Sequence, residues 1–327
     1  MIILTREQVM ERFGRYNYEG IITVVDAAAG KIEIVENFGH FPGSAEWTSI
    51  NRCRAGGIVE ECEIMGKTLI TRARLGLAEV RFGPVDHELG GQALEGALIE
   101  GDTVRTKWAG VAGAGVSVAA SLAQAPGVIS VCYPTEDDLK IGGRRTNRAE
   151  LITPRYEKIR VGIDDTDDPE GGATFMLAVQ AQREAVKLGG VEPLLFRLVQ
   201  LYPKSPFKTS NCTGTVMAFA VRPEMKEQFK SVIIDVVRSG TRSQDTGLAI
   251  MEGIDVPAAL NAFGWEAKKR LVSLEETGVF ENWNNLKLYE IGKGKQGRIG
   301  ALASLGLSEE RAAAALFEDK ALLLIKR

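Results

Sequence analysis

Histidine and cysteine are scarce in this chain of 327 residues. His40 and His87 are the only histidines, so a histidine-based triad or a histidine-rich metal site has little to draw on. The four cysteines, Cys53, Cys62, Cys132 and Cys212, form no C-x-x-C pair, which argues against a zinc site. Scattered in this way, they are expected to stay reduced. No apolar run reaches the ~20 residues needed to cross a bilayer. The opening MIILTREQVMERFG has no basic region followed by a long apolar stretch, so it does not read as a signal peptide. A cytoplasmic protein without membrane contact is the expectation. Strong charge of either sign is also missing: the net charge is −3, and neither half carries a basic excess. A sheath for nucleic acid is therefore not indicated. The chain shows neither an internal repeat nor a low-complexity tract.

What is present suits ordinary cores. Apolar residues make up 45% and charged residues 25% of the chain, and the length allows about two domains. The expected fold class is α+β, in two α/β-type domains. Thr5 with Gln8 forms a capping box for an opening helix. Gly20–Val25 and Lys31–Val35 alternate like the arms of a hairpin. Strand-like runs follow at Ile58–Ile64, Thr68–Ala73 and Thr103–Trp108, then a small-residue helix at Gly115–Ala123 and a strand at Gly127–Tyr133. Residues 134–156 are polar, with Gly142-Gly143 and Pro154, and are expected to hold the boundary. The division is placed at 1–153 and 154–327.

The second half alternates more regularly. Strands are expected at Lys158–Ile163, Leu194–Gln200, Thr215–Val221 and Gly247–Met251. Helices are expected at Thr174–Leu188, Glu224–Val237, Pro257–Leu271 and Ile299–Leu305. Ser308 is expected to cap a last helix over Glu309–Phe317, before a closing strand at Ala321–Ile325.

Asp164, Asp165, Asp167 and Asp168 crowd four carboxylates into five residues, between a strand and a helix. Crowded carboxylates raise one another's pKa, and a cation removes that conflict. Magnesium is commonly held by one or two carboxylates plus substrate phosphates. Gly171-Gly172 lets the backbone approach a ligand, and the helix that starts near Thr174 offers free N–H groups to phosphate. The spacing fits neither an EF-hand nor a Walker A loop. A solvated acidic turn with capping aspartates is the competing reading.

The segment Gly162-Ile-Asp-Asp-Thr-Asp-Asp-Pro-Glu-Gly-Gly-Ala-Thr174 resembles the signature G-I-D-D-T-D-S-x-x-G-x-C-T-T of the archaeal tRNA-isoleucine agmatinylcytidine synthetases. Three more blocks follow in order. Arg197-Leu198 with Tyr202-Pro-Lys-Ser-Pro-Phe-Lys-Thr-Ser-Asn-Cys-Thr-Gly214 resembles R-L-N-P-x-I-P-[YW]-K-T-R-G-N-G. Asp245-Thr-Gly-Leu-Ala249 resembles N-P-G-x-[VA]. Gly297-Arg-Ile-Gly-Ala-Leu-Ala-Ser-Leu-Gly306 resembles G-L-I-G-A-L-A-A-x-G. The blocks span residues 157–310, about half of the chain.

In that family the matching region is a kinase-like domain. It uses ATP and magnesium to phosphorylate a cytosine carbonyl oxygen, which an amine then displaces. The resemblance implies that Asp164, Asp165 and Asp167 bind magnesium and phosphate. It implies that Thr174 accepts the phosphoryl group and that Lys208 neutralises phosphate charge. Gly162, Thr166, Thr209 and Asn211 are matched positions assigned to the nucleotide. Gly297 and Gly300 would let the late helix come close. The departures are Ala173 for the cysteine, Phe175 for the second threonine and Ser210 for the basic residue after Lys208-Thr209. The chain ends soon after the fourth block. The expectation is therefore that the synthetase's amine-binding domain, OB-fold and zinc ribbon are missing, and that tRNA is not gripped by this chain alone.

The combined layout also resembles the methanogenesis marker protein 11 family, on Asp86-His-Glu-Leu-Gly-Gly91, Trp108-Ala-Gly-Val-Ala-Gly-Ala-Gly-Val116, Ala125-Pro-Gly-Val128 and Thr153-Pro-Arg-Tyr-Glu157. Weaker signals stand beside blander readings. The glycine-rich Ala109–Gly115 reads as a tight turn with close helix packing more readily than as an anion cradle. Asp86-His87-Glu88 reads as a polar turn more readily than as a base with its orienting acid. Lys293, Lys295 and Arg298 could close over phosphate or be solvated, and Cys212 is expected to pack. Two functions follow: an Mg-ATP-dependent phosphotransferase acting on an unidentified substrate oxygen, or a non-catalytic nucleotide-ordered module for a protein partner.

Overall fold

The computed structural model describes residues 1–16, 18–39 and 42–322. The chain divides into two compact units, Met1–Tyr156 and Glu157–Arg327. The fold is mixed α/β, and among the described residues no helix is long and apolar enough to cross a membrane.

In the first unit the capping box forms as read: Thr5 Oγ1 accepts the Gln8 N–H and Gln8 Oε1 accepts the Thr5 N–H. Gly20–Asp26 and Lys31–Asn37 form the hairpin, and Thr68–Arg74 and Val59–Met65 extend it, all antiparallel. Thr103–Val111 pairs with Gly91–Glu100 and with the strand Thr146–Asp164. The core gathers Ile32, Ile34, Leu94, Trp108, Leu122, Val131 and Leu151.

Several local readings change. The segment expected as a polar linker is a strand from Thr146 onward. Asn147, Ala149, Leu151 and Thr153 are buried in alternation, and the half-buried Thr146, Arg148 and Glu150 between them give the stretch its polar look. Gly91–Glu100 escaped notice because it is buried on both faces and so has no alternation. The helix Pro42–Ala55 escaped notice because the positions it buries include Thr48, Asn51 and Arg52. An apolar stripe is therefore absent from it. The small-residue helix is a run over Gly113–Gln124 with a wider π turn at Ser117–Ser121. The glycine-rich stretch before it is a tight turn: Ala112 has φ 57°, and a side chain on Gly115 would meet Asn147 Oδ1 at 2.6 Å. Asp86 accepts the Gly83 N–H and faces Arg54 at 3.5 Å, in a short helix, Pro84–Leu89.

The second unit is built on an antiparallel sheet. Its order is Val191–Gln200, Thr213–Val221, the end of Thr146–Asp164, Gly247–Glu252 and Leu286–Glu290. Ile159, Val161 and Ile163 face the helices Thr174–Val186 and Lys226–Gly240. On the other face Val216, Ala249 and Met251 pack on Ala258–Lys269 and Gly297–Gly306. Residues 157–163 thus form the centre of a sheet covered on both sides, with Ile159, Val161 and Ile163 alternating toward one helix layer.

The helix expected after Ser308 is only a short 3₁₀ turn, Arg311–Ala314. The Ser308 hydroxyl is buried without a partner instead of capping. The buried Lys268 ammonium takes the carbonyls of Ala313 and Ala315 at 2.8 and 2.6 Å, oxygens that a continuing helix would use itself. Ala321 and Leu322 are not in a strand, and residues 323–325 of the expected closing strand lie outside the described residues.

Candidate functional site

The central strand of the second unit ends at Asp164, which pairs with Gly247, one residue after Ile163 pairs with Thr215 on the other side. The chain then turns sharply. Asp165 has φ 58°, a left-handed conformation that aspartate tolerates better than most residues. Thr246 Oγ1 holds that turn by donating to the Asp165 carbonyl at 3.0 Å. Thr174, at the start of the next helix, ties the loop back. Its hydroxyl accepts from the Thr166 N–H and the Thr166 hydroxyl and donates to Asp167 Oδ1, each at 3.2 Å.

The helix Gly297–Gly306 closes over this turn. A methyl group on Gly300 would overlap the Asp164 carboxylate, and one on Gly162 would overlap the Ala301 carbonyl. Glycine at both positions lets the helix backbone lie directly against the strand end. Gly297 makes a similar approach to Asp165 and to the backbone of Asp245.

The result is a cleft in which most of the expected residues meet. Asp164, Asp165, Asp167, Thr174, Lys208, Thr209, Asn211, Gly297 and Gly300 all line it. Gly162 lies beneath the helix, Thr166 is buried in the loop, and Gly171 and Gly172 sit beside Arg242, so these four do not line it. Asp168 is also outside, paired with Arg242 Nε at 3.2 Å.

The carboxylates conflict. Burial pushes the Asp164 carboxyl up to about 7, with the charges of Asp165 and Asp167 adding to the shift. Burial pushes Asp165 up to about 6, with Asp245 and Asp167 adding. Two cations line the same cleft. Arg270 is already matched by Glu266 and Glu276 at 3.0 and 2.7 Å. Lys208 donates to the Pro203 carbonyl at 2.6 Å and has no carboxylate partner among the described residues. Among the described residues no three His, Cys, Asp or Glu side chains are placed to hold a metal ion together.

Lys295 and Arg298 point elsewhere, toward Glu290 and Glu281. The Cys212 thiol is pushed up to about 11, first by burial and then by Asp164, so it stays protonated as a packing residue.

Over most of its length the chain matches a protein from Methanocaldococcus jannaschii, the uncharacterized protein MJ0921. The two are 34% identical over 299 residues, 91% of this chain and 96% of the relative. The chain belongs to the MJ0921 family. Within this family member, residues 160–229 match the family model of the TiaS TCKD domain. The tRNA(Ile2) 2-agmatinylcytidine synthetase TiaS of Thermococcus sibiricus is 30% identical over 154 residues, 46% of this chain. Those residues span only 35% of the synthetase. A crystal structure of a TiaS-tRNA(Ile2)-ATP complex aligns over 50% of this chain and 37% of its own, at 27% identity and a TM-score of 0.41.

Sequence reasoning missed Asp245, Arg270 and Gln296. Asp245 was visible inside a matched block but carried no assigned role. In the fold its carboxylate faces Asp165 and accepts the Gln296 N–H at 3.4 Å. Arg270 lies at the end of an ordinary surface helix and carried no local signal.

Proposed function

We propose that the second unit binds a magnesium-nucleoside triphosphate, ATP by the likeness to the synthetases, and passes its γ-phosphoryl group to a substrate oxygen. The observation that carries this reading is the charge pattern of the cleft. Raised, mutually repelling carboxyls face a lysine that has no carboxylate partner among the described residues. Such an arrangement leaves both a cation and an anion to be supplied from outside. Magnesium, when bound, would neutralise phosphate charge, held by one or two of Asp164, Asp165 and Asp167 and completed by phosphate and water.

The chain's own residues supply the rest. Lys208 pairs with a phosphate oxygen. Gly297 and Gly300 keep the helix backbone close against Asp164 and Asp165, so that the cleft stays narrow around the phosphates. In the transfer Thr174 Oγ1 attacks the γ-phosphorus as the bond to the bridging oxygen breaks and ADP leaves, the Thr174 proton passing to Asp167. The substrate oxygen then attacks that phosphorus and the Thr174 oxygen leaves, taking a proton back. Asp167 already accepts the Thr174 proton, the arrangement of a base with a hydroxyl nucleophile.

A second reading is favoured by one detail. The Thr174 hydroxyl is buried and makes three hydrogen bonds within the loop. In that reading the cleft holds nucleotide to order the loop for a protein partner and does not turn over. Calorimetry with and without magnesium, followed by phosphate release, separates the two. If the enzyme reading holds, Thr174→Ala stops phosphate release while ATP affinity stays near wild type. Wild type that binds ATP but never consumes it leaves the module reading. Failure of wild type to bind any nucleoside triphosphate in magnesium sinks both. A link to methanogenesis rests on the resemblance of the N-terminal blocks. Unaided tRNA binding is not part of the proposal.

A further inference from the structure

A second cleft lies within the first unit, and nothing in the nucleotide reading uses it. The rings of Tyr16, Tyr18, Phe38 and Trp47 line it together with Ser117 and Ser121. Its volume of about 450 Å³ falls in the range that takes small molecules, ~300–1,000 Å³. None of the described residues lining it is charged.

The polar groups that reach this cleft are held from behind. The Tyr18 hydroxyl donates to Glu36 Oε1 at 2.7 Å. Glu36 is fully buried against Arg52, whose Nη2 donates to Glu36 Oε1 at 2.8 Å. Arg52 also donates to Thr71 at 2.8 Å and to Gln92 Oε1 at 2.7 Å, and its guanidinium lies 4.4 Å from the centre of the Trp108 ring. Gln92, oriented this way, presents its amide nitrogen to Ser117 Oγ at 3.3 Å. The Ser121 hydroxyl donates to the Ser117 carbonyl at 3.1 Å, with Ser117 Oγ farther off at 3.4 Å.

A buried ion pair adds little net stability over apolar residues of the same size. Here it fixes Tyr18 directly and Ser117 through Gln92. Ser117 Oγ accepts the Gln92 N–H and keeps its own proton to give. The π turn Ser117–Ser121 forms this wall, and such turns recur at functional sites. Four aromatic residues, an oriented donor and no charge among the described lining residues together define a ligand.

We propose that this cleft binds an uncharged planar heterocycle carrying a hydrogen-bond acceptor. The ring packs among the four aromatic side chains, and the acceptor takes the Ser117 proton. The proposal does not depend on the nucleotide reading of the other unit.

The test titrates the full-length protein with nicotinamide, cytosine, uracil and adenine, followed by ligand-observed NMR and tryptophan fluorescence. At least one probe is expected to bind saturably. Trp47→Ala should weaken that probe on the order of tenfold, the loss expected for one stacking contact. Ser117→Ala should weaken it about fivefold, one neutral hydrogen bond. Trp47 is 43% exposed, so its removal leaves the core intact, and unchanged thermal melting of both variants checks this. The proposal is overturned if none of the four probes saturates. It is equally overturned if binding is unchanged by Trp47→Ala, which places the probe elsewhere. Binding lost with Trp47→Ala but unchanged by Ser117→Ala overturns the assigned acceptor contact.

Discussion

Replacing Asp164 with asparagine should make the ligand-free protein more stable, and only at neutral to alkaline pH. The Asp164 carboxyl is pushed up to about 7, by burial first and then by Asp165 and Asp167, against ~3.9 in an unfolded chain. The folded state therefore holds the proton more tightly than the unfolded state. The carboxyl's contribution is fully present below about pH 4 and is lost as the pH rises through about 7. Three units of difference correspond to about 4 kcal/mol, an upper value because water reaches part of the side chain. Asparagine stays neutral and keeps an oxygen for the Asp165 N–H that Asp164 accepts. Urea denaturation should therefore show Asp164→Asn more stable than wild type by roughly 2–4 kcal/mol near pH 8, and nearly equal near pH 4. Magnesium added near pH 8 should stabilise wild type more than the variant. A variant that is less stable at both pH values, or a gap that does not change with pH, would refute the argument.

Lys208→Ala should weaken nucleotide binding by ~1.5–3 kcal/mol in calorimetry, the value of one hydrogen bond to a charged group. Its exposed side chain holds only the Pro203 carbonyl, so the melting temperature should barely move. Gly300→Ala should cost about 1–3 kcal/mol in denaturation and impair nucleotide binding as well, because the new methyl displaces the Asp164 carboxylate or lifts the helix. The purified chain should bind tRNA weakly at any salt; a salt-sensitive, submicromolar affinity in filter binding would show a basic surface that the composition hides.

How much of this was legible depended on where the physical information lies. The strand ending at Asp164 and the helix from Thr174 were readable because Ile159, Val161 and Ile163 alternate in the one and Leu177, Ala178, Ala181 and Ala185 recur at helical spacing in the other. The helix Pro42–Ala55 was not, because Arg52 and Asn51 face inward and are satisfied by Glu36, Gln92 and the Trp47 carbonyl. For Arg52 the partners Glu36 and Gln92 are distant in sequence, and they turn a charged position into core. The strand from Thr146 was hidden for the opposite reason, since Arg148 and Glu150 on its outer face are paired with Glu95, Arg105 and Lys107 of other strands. At the acidic loop the residue types were local and visible, whereas the positions of Asp245, Arg270 and Gln296 follow from packing alone.

The two clefts treat buried charge in opposite ways, and the contrast bears on what each requires. Glu36 and Arg52 are fully enclosed, and each is matched by the other and by neutral hydrogen-bonding groups. That network is complete without any ligand, so it can fix a shape in advance, as a binding pocket for an uncharged molecule needs. Asp164 and Asp165 are enclosed without a cation, and their main neighbours are other carboxylates. Left alone, such a group relieves itself only by taking up protons. A fold that crowds carboxylates at the end of its central strand, and uses glycine to press a helix against them, bears a cost that a solvated acidic turn would avoid. That cost is offset when a cation and its phosphate ligand enter. The same logic makes the pH dependence of Asp164→Asn the decisive measurement, because a solvated turn predicts none.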